Sequence, residues 1–106
     1  MDKATFEVII AAGADNLQLK QALQTKHSYC IRTAITHIRR VLRASKFKNL
    51  QLTEEQKSDI LPYESDVAKI LSSYNLRNAK KYDMINYICD LARLNGGKII
   101  KILLTL

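Results

Sequence analysis

The chain has 106 residues, 47% of them hydrophobic and 25% charged, with a formal net charge of +7 and two cysteines. That is enough for one domain whose single core needs no staple, and no apolar run approaches the roughly 20 residues that span a bilayer. Cys30 and Cys89 lie far apart and no signal peptide opens the sequence, so a reducing, cytoplasmic setting is expected.

Asp2 is suited to cap a first helix carrying Phe6, Ile9 and Ile10, which Gly13 would end as a C′ glycine. Phe6, Val8 and Ile10 also alternate, so a short strand is the rival reading there. Asp15 predicts a second N-cap, opening a short helix through Leu19, Ala22 and Leu23. Lys26 to Ser28 reads as a turn, with Ser28 as the cap of a third helix.

That third helix dominates the sequence. Ile31, Ala34, Ile35, Ile38 and Leu42 recur at the spacing of one helical face. At 100° per residue, Arg32, Arg39, Arg43 and Lys46 fall on one flank, roughly 60–120° round from Ile31, and Thr36 and Arg40 widen it. From Asn16 to Thr53 there is no Asp or Glu, while Lys20, Lys26, Arg32, Arg39, Arg40, Arg43, Lys46 and Lys48 are cationic. Solvated helices commonly mix signs so that i, i+4 pairs form. This one does not, which points to an anionic partner.

Phe47 to Leu52 reads as an extended linker with Phe47, Leu50 and Leu52 tucked inward. Thr53 and Gln56 have capping-box spacing, with Glu54 starting a helix that Pro62 breaks or kinks. Tyr63, Val67, Ile70, Leu71 and Tyr74 line the next helix, which stops near Asn75. Asn78 is the expected cap of a last long helix carrying Met84, Ile85, Ile88, Leu91 and Ala92, closed by Asn95-Gly96-Gly97. The apolar tail Lys98–Leu106 suits a strand by its β-branched start and a helix by its leucines. The expected architecture is an all-α bundle of about five helices forming one domain over residues 1–106, with a short strand pairing between the termini as an option.

Two basic clusters are candidate sites. In the first, guanidinium groups of Arg32, Arg39, Arg40 and Arg43 would grip phosphate oxygens along a helix about 27 Å long, with Thr36, Lys26 and Lys46 beside them. Tyr29, next to this flank, is the one tyrosine expected to stack a base; Tyr63 and Tyr74 fit core packing better. Leu17 to Leu42 resembles a helix-turn-helix in outline, with Ser28, Tyr29, Arg32, Thr33 and Thr36 near base edges. Its turn lacks the usual glycine, however, and the second helix is long for that role. The second cluster is Arg77, Lys80 and Lys81, a secondary anion patch at the start of the last long helix, where cations oppose the helix dipole.

Catalytic and metal chemistry find little support. His27, Cys30, His37 and Cys89 lack the paired spacing of a zinc site, and no Gly-rich phosphate loop or nucleophile elbow occurs. The two cysteines read as small core residues. No enzyme activity, metal or cofactor is expected. The leading expectation is a non-enzymatic DNA- or RNA-binding protein, a small regulator of transcription or a nucleoprotein subunit. The alternative is a protein-interaction module (adaptor, inhibitor or assembly subunit) that docks its basic face on an acidic protein surface. The aliphatics of Ile99–Leu106 either close the chain's own core or pack against a second copy, and their surplus favours a homodimer through that segment.

Overall fold

A computed structural model describes residues 3–45, 47 and 50–106, without the side chains of residues 43–45. Among the described residues there are seven α-helices and no strand. Helix α1 (Lys3–Ala12) buries Phe6, Ile9 and Ala12, an i, i+3, i+6 row that a strand would have split between two faces. The Gly13 N–H closes it on the Ile9 carbonyl at 3.3 Å, with φ at 57°. Asp2, expected as its cap, lies outside the described residues.

Helix α2 (Asn16–Gln24) starts where Asp15 accepts from the Gln18 N–H at 3.1 Å. Helix α3 (Ser28–Ser45) buries Ile31, Ala34, Ile35, Ile38 and Leu42, the face its spacing specifies. Ser28 is not its cap. The His27 carbonyl already accepts from the Cys30 and Ile31 N–H groups, so Ser28 sits within the first turn. After the linker, Thr53 and Gln56 form the reciprocal capping box, at 3.1 and 3.0 Å, that opens α4 (Glu54–Ile60). Pro62 then occupies a single 3₁₀ turn, and the chain continues as α5 (Glu64–Ser72).

The start of the next helix differs from expectation. Asn75 accepts from the Arg77 N–H at 3.0 Å and holds residues 76–78 in a separate 3₁₀ turn. Helix α6 therefore begins at Lys81 rather than behind Asn78, with the Asp83 carboxylate accepting from the Lys80 N–H at 3.1 Å. It runs to Arg93 as the central helix, packed against α2, α3, α5 and α7, and buries Met84, Ile85, Tyr87, Ile88, Cys89, Leu91 and Ala92. Its run against α2 is antiparallel: Lys81 meets Gln24 at one end, and the Asn16 amide oxygen accepts from Arg93 Nη2 (3.1 Å) at the other.

Asn95, Gly96 and Gly97 all take positive φ and turn the chain into α7 (Lys98–Thr105). The tail is thus a helix, and the termini meet as α1 against α7 with no strand pairing. A strand would have sent its apolar side chains alternately to two faces. The helix instead buries Ile99, Ile100, Ile102, Leu103 and Leu104 among α1, α3, α4 and α6. The segment thus closes the chain's own core, and of its large apolar side chains only Leu106, 44% exposed, stays at the surface.

Candidate nucleic-acid interface

Because the apolar row of α3 points inward, the opposite side of the helix faces solvent. It carries Tyr29, Thr33, Thr36 and Arg40 at i, i+4, i+7 and i+11, a single ridge. Tyr29 is 77% exposed, Thr36 and Arg40 are exposed, and Thr33 is half-buried, its hydroxyl donating back to the Tyr29 carbonyl at 2.8 Å. A shallow depression of about 360 Å³ runs along the ridge, bordered by Arg32 on one side and His37 on the other.

The arginine flank divides into different roles. Arg32 is half-buried: Nη1 donates to the Leu76 carbonyl at 2.6 Å and Nη2 to the Ala79 carbonyl at 3.4 Å. Its guanidinium is a strut between α3 and the turn that precedes α6. Arg39, also half-buried, lies along a groove of about 480 Å³ between α3 and α5, shared with Leu42, Phe47, Glu64 and Leu71. Arg40 projects from the ridge itself. The Arg43 side chain and Lys46 lie outside the described residues. Lys26, in the α2–α3 turn, is half-buried, and its N–H donates to the Leu23 carbonyl at 3.0 Å.

The second basic cluster divides in the same way. Lys81 Nζ donates to the Gln24 carbonyl at 2.7 Å, putting a cation on the negative end of α2. Arg77 and Lys80 are exposed. Each neighbours in sequence a carbonyl that Arg32 holds, so the strut sets them beside the N-terminal half of α3. The sequence presents two clusters some 45 residues apart; the Arg32 hydrogen bonds bring the backbone of the second against α3. Among the described residues the only ion pairs are Glu54–Lys57 (3.3 Å) and Asp90–Arg93 (3.2 Å), and neither involves a cation of either cluster. Arg39, Arg40, Arg77 and Lys80 therefore keep their charge uncompensated at salt-bridge distance among those residues.

Exposure sorts the tyrosines. Tyr74 and Tyr87 pack edge to face at 5.0 Å, and burial pushes the Tyr87 hydroxyl up to about 12. Tyr63 is half-buried against the core, while Tyr82, which sequence reasoning passes over, is 72% exposed. It stands in a groove of about 360 Å³ between α2 and α6 with Lys20, Gln24, Lys81 and Asn86. Its position just after Lys80-Lys81 is the one signal the sequence offers.

His37 is a structural element that the sequence does not announce. Its ring lies tilted on Phe6 at 5.2 Å, and Nε2 is buried without a hydrogen-bond partner among the described residues. Burial lowers its pKa below the ordinary histidine value; backbone hydrogen bonding at Leu103 opposes that, and the Arg40 charge adds to it. Cys89 is buried, and desolvation raises its thiol pKa. Cys30 is only half-buried, at the rim of the core rather than in it. No group of three or more His, Cys, Asp or Glu among the described residues is arranged to hold a metal ion.

A helix-turn-helix braces its recognition helix with the helix before it. Here α2 packs mainly on α1 and α6, while α3 packs on α6, α7 and α1. What the fold defines is a small all-α bundle. Comparison with protein families, curated proteins and solved structures finds no match. No helix among the described residues is long and apolar enough to cross a membrane.

Proposed function

We propose that the chain is a non-enzymatic nucleic-acid-binding protein, a small regulator or nucleoprotein subunit, that grips phosphates with the solvent side of α3 and the adjoining 76–80 turn. The observation that carries this reading is the Arg32 strut, which adds Arg77 and Lys80 to Arg39 and Arg40 instead of leaving a single helical stripe. Four cations with no carboxylate at salt-bridge distance among the described residues suit an anionic polymer, because each phosphate neutralised releases a condensed counterion. Thr36 and Tyr29 supply neutral hydrogen-bonding groups between the charges, as phosphate and sugar contacts often require.

The apolar groove between α3 and α5, with Arg39 at its edge, supports the second reading, an adaptor or inhibitor docked on an acidic protein surface. Arginine beside exposed apolar surface is common at the centre of protein interfaces.

The salt dependence of binding separates the two. Arg39→Ala combined with Arg40→Ala, titrated against fluorescent DNA and RNA oligonucleotides between low and moderate salt, should weaken binding. Each neutralised phosphate contributes about 0.7–0.9 to the slope of log K against log salt, so removing two cations should flatten it by about 1.4–1.8. No binding of the parent chain to any nucleic acid at low salt would remove the proposal and leave the protein partner.

A further inference from the structure

We infer that the nucleic acid taken by this side is single-stranded, with unpaired bases stacked on Tyr29 and Tyr82. The inference rests on the nucleic-acid reading above and specifies its substrate class.

Of the five tyrosines, Tyr63, Tyr74 and Tyr87 are wholly or partly buried in the core. The two that are not, at 77% and 72% exposure, stand on either side of the start of α6. On the α3 side, Arg32 holds the Leu76 and Ala79 carbonyls, and Tyr29 lies three residues before it on the same helix. On the α2 side, Lys81 holds the Gln24 carbonyl, and Tyr82 is its neighbour. Lys20 lines the Tyr82 groove, Arg77 and Lys80 follow in sequence the two carbonyls that Arg32 holds, and the ridge continues from Tyr29 to Arg40, about 16 Å along α3. Both rings are open to solvent, so each has a face free to take a base.

Rings spaced among cations form the platform that single strands use: phosphates follow the charges, and each base offers a face to an aromatic ring whatever its identity. Duplex bases are stacked on one another and have no free face. Duplex readout would instead need base-edge donors along a braced recognition helix. Here the N-terminal arginine of α3 is committed to two backbone carbonyls, and α2 packs chiefly elsewhere. In the Tyr82 groove, the Gln24 and Asn86 amides stand beside the ring, with Lys20 for a phosphate. That combination suits an unpaired nucleotide.

The test is fluorescence anisotropy at one low salt concentration, with 12-nucleotide DNA and RNA single strands and the same sequences as duplexes. The full chain is compared with Tyr29→Ala, Tyr82→Ala, Tyr29→Phe and Tyr82→Phe, each checked for folding by its circular dichroism melt. The single strands should bind at least tenfold tighter than the duplexes. Either alanine variant should weaken single-strand binding by roughly 5- to 150-fold, the range for one lost stack, with little change for duplex. Both phenylalanine variants should bind almost as the parent does, since the ring rather than the hydroxyl is needed. Equal affinity for duplex, or alanine variants that bind single strands unchanged while Arg39→Ala/Arg40→Ala loses binding, would overturn the inference yet keep the nucleic-acid reading. No binding to any oligonucleotide would remove both.

Discussion

Replacing Arg32 with alanine separates structure from ligand binding, because its guanidinium holds protein carbonyls while those of Arg39 and Arg40 hold none among the described residues. The Nη1 bond to Leu76 O is short at 2.6 Å and charge-assisted, whereas the Nη2 contact with Ala79 O, at 3.4 Å, is long and adds little. Hydrogen bonds to charged groups contribute about 1.5–3 kcal/mol. The site is only partly buried, so water regains some access to the freed carbonyls, and the expected loss is about 1.5–2.5 kcal/mol. For a domain of roughly 100 residues that corresponds to a fall in Tm of about 7–11 °C. Arg32→Lys keeps the charge but cannot fork between two carbonyls, so it should recover only part of the loss. Arg40→Ala, on the exposed ridge, should stay within about 0.5 kcal/mol of the parent. Urea unfolding followed by circular dichroism measures all three. Should Arg32→Ala unfold at the parent's midpoint yet lose oligonucleotide binding, the strut assignment is wrong and Arg32 is a ligand.

Gly97 and Gly96 should respond differently to alanine. Both have positive φ, but a Cβ on Gly97 would stand 2.9 Å from the Gly13 Cα and 3.0 Å from its carbonyl carbon, whereas one on Gly96 meets nothing within 4 Å. Gly96→Ala should cost about 1–2 kcal/mol in left-handed strain, and Gly97→Ala that plus about 1–3 kcal/mol to part the two helix corners; similar urea midpoints for the two variants would contradict this. His37 should make stability depend on pH. Its pKa is lowered in the fold by burial first and the Arg40 charge last, so the neutral ring's contribution is fully present above the unfolded value near 6.5 and is lost as pH falls below it. His37→Gln should flatten the decline in urea midpoint between about pH 7.5 and 5.5, and an unchanged decline would refute the assignment.

Local chemistry makes much of the fold legible. Asp15, the Thr53–Gln56 box, Gly13 and the break at Pro62 each act within four residues, and each appears where its spacing indicates. The α3 faces are legible because five buried side chains repeat on one side of 18 residues. What escapes depends on distant partners. The start of α6 moves from Asn78 to Lys81 because Asn75 caps a separate turn whose flanking carbonyls Arg32, 44 and 47 residues away, takes up. The tail's apolar residues fit either period, and helix wins because α1, α3, α4 and α6 together offer one pocket rather than two faces. At the candidate site, Tyr29, Thr36 and Arg40 are exposed as their helical angle requires, but Arg32 and Lys81 hold backbone carbonyls instead. No angle on a helical wheel reveals that.

The central claim is that the α3 ridge and the 76–80 turn act as one binding side. Titrating the ¹⁵N-labelled chain with a single-stranded oligonucleotide, and recording backbone amide shifts residue by residue, tests it most directly. Tyr29, Thr33, Thr36 and Arg40 should move together with Arg77 and Lys80, along one common titration curve. Shifts confined to α4 and α7, or a ridge that responds while the turn stays still, would contradict the account.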